Sequence, residues 1–293
     1  MRYETIAGTE IVISEIGFGV WTLATTWWGE HTDEEAISLL REARDLGITF
    51  FDTADTYGNG RGETILADAF SPSERADIVI GTKFGYNWRA RTQTQEAGHK
   101  EAPQVWDPAF LENALNESLQ RLNTEYIDIW QLHNPRLDTL QRDDVWEFLD
   151  RVRKDGRVRS VGVAIGPDIG WEDEGVYALS ERNPESAQVI YSLLEMDPAR
   201  EFIRTARRHK TSLLARVPHA TGLLEGRFTE DTVFPASDHR SHRPRSWLSN
   251  GLKKAKQLQY LTESGSTIGQ AALRFVLREP EIVSVLPNIF GRE

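Results

Sequence analysis

The sequence predicts a single-domain α/β fold, a closed (β/α)8 barrel of the TIM type. Short β-branched runs alternate with helix-period segments eight times along the 293 residues, the pattern of a parallel sheet with crossover helices. Several of these runs, among them DIVIG, YIDIW and SLLA, are apolar almost without interruption, as strands covered on both faces must be. The competing architecture, an open doubly wound sheet, calls for a G-x-G-x-x-G turn after its first strand. Gly17-Phe18-Gly19 begins such a turn, but Val20, Trp21 and Thr22 follow, and the fingerprint fails.

In chain order, strands are expected near residues 15–20, 48–52, 78–83, 126–133, 158–163, 187–191, 212–216 and 282–286. The segment 33–47 between the first two has apolar residues at 36, 39, 40, 43 and 46, the spacing of an amphipathic helix. Thr32 or Asp33 caps it, an acidic residue follows, and Gly47 ends it. Asp107 followed by Pro108 opens a second helix over 107–123. No linker or low-complexity stretch divides the chain, so residues 1–293 read as one barrel. Two long polar connections, 85–106 and 228–250, are expected to be functional lids or partly disordered segments.

Composition narrows the chemistry. The chain has no cysteine, which removes disulfides, thiolate metal sites and cysteine nucleophiles. A net charge of -11 argues against a general nucleic-acid binder. No apolar stretch approaches the roughly 20 residues that cross a bilayer, and MRYETIAGTE does not read as a secretory signal. A cytoplasmic protein is expected. His239 and His242 have a spacing that suits a metal on a helix, but their Arg and Pro surroundings read as a lid, and no metal site is expected.

A barrel of this kind builds its site where the strands end. The polar side chains there are Asp52, Lys83, His133, Gln188 and Arg216, and Tyr57 follows Asp52 in a loop with Gly58 and Gly60. Singly, these are turn formers, solvated strand ends or surface groups. Together they suit one mechanism. A tyrosine hydroxyl serves as general acid when a nearby ammonium lowers its pKa, a carboxylate holds that ammonium, and a histidine orients the reacting oxygen.

With the motifs FDTADTYGNGRGE, GTKFG, SLQRLNTEYIDIWQLHNP and GLLEGRF in this order, after the opening GTEIVISEIGFGVW, the chain resembles the aldo-keto reductase superfamily over nearly its whole length. The resemblance implies a catalytic tetrad of Asp52, Tyr57, Lys83 and His133, with Tyr57 delivering the proton while nicotinamide delivers hydride to a carbonyl carbon. It implies NADP(H), with NAD(H) open, as cofactor. Gly19, Val20 and Trp21 would lie beside the nicotinamide and diphosphate, with Asp52 close by, and Gln188 would hold the carboxamide. Arg216 stands where many relatives place an aromatic ring. Val217, Pro218, His219, Thr221 and Gly222 belong to a turn expected to present backbone N–H groups to the diphosphate.

Two departures accompany the resemblance. Many relatives have a Ser-Asn pair where this chain has Ala164 and Ile165, and the loop and helix that grip the adenosine in relatives are not read in this sequence. The implied substrate is a small carbonyl compound, with Trp27, Trp88 and His133 toward it. A polyol or sugar dehydrogenase and a non-catalytic, cofactor-sensing auxiliary subunit are the alternative readings.

Overall fold

An antiparallel hairpin, β1 (Tyr3–Thr5) and β2 (Val12–Ser14), precedes the barrel in the computed structural model, which describes residues 1–90, 101–167, 169–263 and 265–291. Eight parallel strands then follow in sequential order: β3 (Phe18–Gly19), β4 (Phe50–Asp52), β5 (Val79–Phe84), β6 (Ile127–His133), β7 (Val158–Ala164), β8 (Ser186–Ile190), β9 (Ser212–Arg216) and β10 (Ile282–Leu286). The ring closes through Gly17 N–H to Val285 O and Val285 N–H to Glu15 O, both 2.8 Å. All eight expected strands are therefore present, in one barrel.

The expected strand 15–20 is shorter than its apolar pattern suggests. Only Phe18 and Gly19 pair regularly with β4, and Ile16 makes a single bridge to Val285. Gly17 lies between these contacts, where a Cβ would approach Phe50 to 2.7 Å and Leu286 to 2.8 Å. The hairpin was not expected at all. Ile11 and Ile13 are buried and Val12 is exposed. Ile6, Ile11 and Ile13 join Phe50, Val79, Ile129, Leu214 and Val283 in one apolar cluster that seals the floor, where the strands begin.

Helices wrap the outside. Asp33–Asp45 opens with a reciprocal capping box between Thr32 and Glu35 and buries Ala36, Leu40 and Ala43. Pro108–Arg121 opens with the Asp107 side chain accepting from Ala109 N–H at 2.8 Å. Arg61–Ala69, Asp143–Lys154, Ala199–His209 and Ile268–Val276 complete the layer together with Glu172–Tyr177, which continues into a wider turn at Ala178–Arg182. Residues 91–100 of the first long connection lie outside the described residues. The second, 228–250, is built rather than loose, with a short turn at His239–His242 and a helix, Arg245–Gln257, that begins inside it. Arg240 anchors it, 9% exposed, donating to both oxygens of Asp238 and lying 4.4 Å from the Trp28 ring and 4.7 Å from that of Phe234.

Candidate active site

Strand alternation brings Asp52, Lys83 and His133 to the mouth of the barrel, where β4, β5 and β6 end. Asp52 and Lys83 are 4% and 1% exposed, and charges so buried must be paired. Lys83 Nζ donates to Asp52 Oδ1 at 2.6 Å, to Thr53 O at 2.7 Å and to Tyr57 OH at 3.2 Å. These three bonds use every donor of the ammonium. Burial alone would lower the Lys83 pKa, but the Asp52 carboxylate and the Tyr57 hydroxyl outweigh it and hold it above its ordinary value. Lys83 is thus a fixed cation beneath the tyrosine oxygen.

The turn after β4 aims Tyr57. Gly58 adopts φ +58°, and a Cβ there would meet Ala24 O at 2.3 Å, so no other residue fits. The Tyr57 hydroxyl accepts from Lys83, and its own proton has no acceptor among the described residues. Its ring stands edge-on to His133 at 6.0 Å, and Tyr86 flanks the same imidazole at 5.0 Å. Burial, then Lys83 and Arg216, push the His133 pKa well below its ordinary value. The imidazole is neutral near pH 7, and its Nδ1 is buried without a partner.

A cavity of about 630 Å³ opens over these groups, within the range of ligand sites. Of the residues expected at a cofactor, Gly19, Trp21, Asp52, Gln188, Arg216, Val217 and Thr221 line it, as do Tyr57 and His133. Val20, Pro218, His219 and Gly222 do not. Val20 is fully buried, with its N–H on Asp52 O at 2.8 Å. In the turn after β9, Val217, Ala220, Thr221 and Gly222 all have positive φ, a concentration of strain typical of ligand-binding loops. The amides of Ala220, Gly222, Leu223 and Leu224 are engaged inside that turn. Gln188 is likewise engaged: its Nε2 donates to Asp52 Oδ2 at 2.8 Å, beside Gln131 at 3.2 Å.

A second cavity of about 340 Å³ adjoins the first at Trp21, Trp27, Tyr57, Glu101, His133 and Asn134. Trp27 is there as expected. Trp88 is not: it sits on a surface turn with the Arg89 guanidinium 4.2 Å over its ring. Sequence reasoning missed the polar chain that borders this cavity, in which Asn134 Nδ2 donates to Tyr86 OH at 3.1 Å and Tyr86 OH to Glu101 Oε2 at 2.9 Å. Burial and the Glu101 carboxylate raise the Tyr86 pKa. The available signal was Asn134 itself, directly after a strand-end histidine; in the structure it adopts φ +51°. His239 packs among Trp21, Trp27 and Trp28.

The arrangement suits proton donation to an oxygen held between Tyr57 and His133, with a cofactor in the larger cavity. The cationic Arg216 lines that cavity, and a guanidinium suits the negative charge or the planar ring of a nicotinamide nucleotide. The sequence profile of the aldo/keto reductase family matches residues 15–293, and the chain belongs to that family of nicotinamide-dependent oxidoreductases. It is 30% identical to the uncharacterized oxidoreductase YqkF of Bacillus subtilis, over 98% of this chain and 86% of the relative. Among solved structures, the holo form of aldo-keto reductase AKR11C1 from Bacillus halodurans superimposes with a TM-score of 0.78 at 25% identity, covering 99% of this chain and 86% of that one. The glycerol dehydrogenase AKR11B4 from Gluconobacter oxydans gives 0.81 at 25% identity, covering 97% and 85%. No helix among the described residues is long and apolar enough to cross a membrane.

Proposed function

We propose that this chain reduces an aldehyde or ketone to the alcohol, reversibly, with NADP(H) as its preferred cofactor. The observation that carries the reading is the Asp52–Lys83–Tyr57 relay, a carboxylate 2.6 Å from an ammonium that lies 3.2 Å from a tyrosine hydroxyl with a free proton. When bound, the nicotinamide supplies the hydride that the carbonyl carbon receives. Tyr57 gives its proton to the carbonyl oxygen, and the tyrosinate left behind is stabilised by Lys83. Neutral His133 orients that oxygen by a hydrogen bond, and Asp52 keeps Lys83 charged and in place. Gly19, Trp21, Val217 and Thr221 form walls of the cofactor cavity, and Trp27 forms a wall of the substrate cavity.

Tyr57→Phe is expected to lower kcat for carbonyl reduction by at least about 100-fold while leaving NADPH affinity, read by tryptophan quenching, nearly unchanged. Substantial residual turnover would remove Tyr57 as the proton donor. The likeness to a glycerol dehydrogenase supports assaying polyols in the oxidative direction alongside the carbonyl panel.

A further inference from the structure

Asp52, Lys83 and Tyr57 hold one another by hydrogen bonds, but His133 is aimed differently. Its Nδ1 is buried without a partner among the described residues, so the imidazole takes its direction from the rings beside it and the backbone beneath it. Tyr57 and Tyr86 stand edge-on to it at 6.0 and 5.0 Å. The backbone is secured by strand pairing on one side only. Toward β7, His133 pairs with Ala164, and Asn134 N–H reaches Ala164 O at 2.9 Å. Toward β5, the pairing stops one residue earlier, at Phe84 with Leu132. There Gly85 turns the chain away at φ +124°, where a Cβ would strike the Trp106 ring at 2.2 Å.

Gln104 fills the place that β5 leaves. The far end of the 85–106 connection returns alongside its start, with Val105 N–H on Gly85 O and Asn87 N–H on Pro103 O, both at 2.7 Å, and a bridge between Tyr86 and Gln104. From this returning arm, Gln104 Nε2 donates to His133 O and to Asn134 O, each at 2.9 Å. Both amide hydrogens are thereby used, and two carbonyls facing one amide fix which of its ends is the nitrogen. Asn134 donates in turn to Tyr86 OH at 3.1 Å, and the Tyr86 ring flanks the imidazole. The clasp closes on His133 through backbone and ring together. We propose that Gln104 is a positioning residue for carbonyl reduction that acts through His133, fixing the strand end from which the imidazole meets the carbonyl oxygen. The inference rests on the functional reading above, in which His133 orients that oxygen. Gln104 is not among the residues that line either cavity, so its influence on a bound substrate runs through the residues it holds. Displacing an orienting group by about 1 Å can cost up to about 100-fold in rate.

The test is a double-mutant cycle on the whole chain, read as kcat/KM with NADPH and whichever aldehyde or ketone of the carbonyl panel the wild type reduces best. Gln104→Met removes both bonds at nearly constant length, and Gln104→Ala removes them without refilling the space. Each is made alone and together with His133→Ala. Either Gln104 variant alone is expected to lose about tenfold, and His133→Ala about 100-fold. In the His133→Ala background the Gln104 substitutions should cost less than about twofold, because the group they position is gone. NADPH affinity, read by tryptophan quenching, should stay within about twofold throughout. A Gln104 variant with wild-type kcat/KM overturns the proposal, and so does a tenfold loss that persists when His133 is absent. Loss of NADPH binding along with turnover would place the effect on the fold and overturn it equally. A wild type that reduces no carbonyl, or a His133→Ala variant as active as wild type, would overturn the functional reading itself and this inference with it.

Discussion

Strand β6 carries an ionisable side chain near each end, and the barrel treats the two oppositely. Asp128, at the floor, is completely buried, and both of its oxygens are occupied: Oδ1 accepts from Arg159 Nη1 at 2.8 Å, and Oδ2 from Arg75 Nη2 at 2.7 Å and Ile80 N–H at 2.9 Å. Tyr126 lies beneath both guanidinium groups. His133, at the mouth, has a buried Nδ1 with no partner, and Arg216 Nε, Asn134 Oδ1, Gln131 Oε1 and Thr53 Oγ1 nearby share that condition. Each such group costs about 1–3 kcal/mol of stability. A folded chain concentrates deficits of this kind where something else completes them. The Asp128 cluster is closed chemistry that holds the barrel; the mouth gathers several unpaired groups around His133, and lower in the barrel the hydroxyls of Ser160 and Ser186 are unpaired as well.

The largest effects should separate those roles. Replacing the mouth pair together, Asp52→Asn with Lys83→Met, is expected to lower kcat/KM for carbonyl reduction at least about 1,000-fold, roughly 4 kcal/mol of transition-state stabilisation. Its unfolding free energy should hold steady or rise, because exchanging a whole buried pair for neutral groups removes its desolvation penalty. A double variant that unfolds more easily while keeping its activity would reverse the comparison. At the floor the opposite is expected: Asp128→Ala leaves Arg75 buried and uncompensated, at about 3–5 kcal/mol in a urea titration. Its kcat/KM, measured well below its melting temperature, should stay within about twofold of wild type.

The open mouth also has a pH signature. His133 is held neutral by burial, and burial pushes His239 down to about 4. Between the ordinary histidine value near 6.5 and these lowered values, the unfolded chain binds protons that the folded chain refuses. Stability is therefore full above about pH 6.5 and falls as pH drops toward 4, by up to about 1.4 kcal/mol per pH unit for each such histidine. His239→Asn should flatten that slope by one proton between pH 6 and roughly 4.5, seen in urea midpoints. An unchanged slope would show that His239 is protonated in the folded protein.

How much of this was legible in the sequence follows from what each feature depends on. The eight strands depend on local apolar runs and were readable to within a few residues, as were the polar groups that end them, because strand period and barrel topology together bring Asp52, Lys83 and His133 to one face. The hairpin of Tyr3–Thr5 and Val12–Ser14 was not readable, since strands of three residues carry almost no period and are held by contact with the barrel floor. Trp88 and Trp27 look alike in sequence. Only the course of two loops separates them, one turning out to the surface under Arg89 and the other into the cavities. The engagement of Gln188 by Asp52 is likewise a matter of which way an amide points in three dimensions.

The smallest expected effect tests whether the contrast is one of position or of closure. Thr32 stands on the mouth side of the barrel, opening the helix Asp33–Asp45 that follows β3, yet its bonds are complete: its hydroxyl accepts from Glu35 N–H at 3.2 Å and its own N–H donates to Glu35 Oε2 at 2.9 Å. If being at the mouth were what mattered, Thr32→Ala would alter turnover. If closure is what matters, Thr32 behaves like a floor residue. The substitution removes one side-chain acceptor from a helix start and is expected to cost about 1 kcal/mol or less, a shift of a few degrees at most in melting temperature, with kcat and KM both unchanged. A change in kcat from this variant would mean that the helix start, and not only the strand ends, positions the reacting groups.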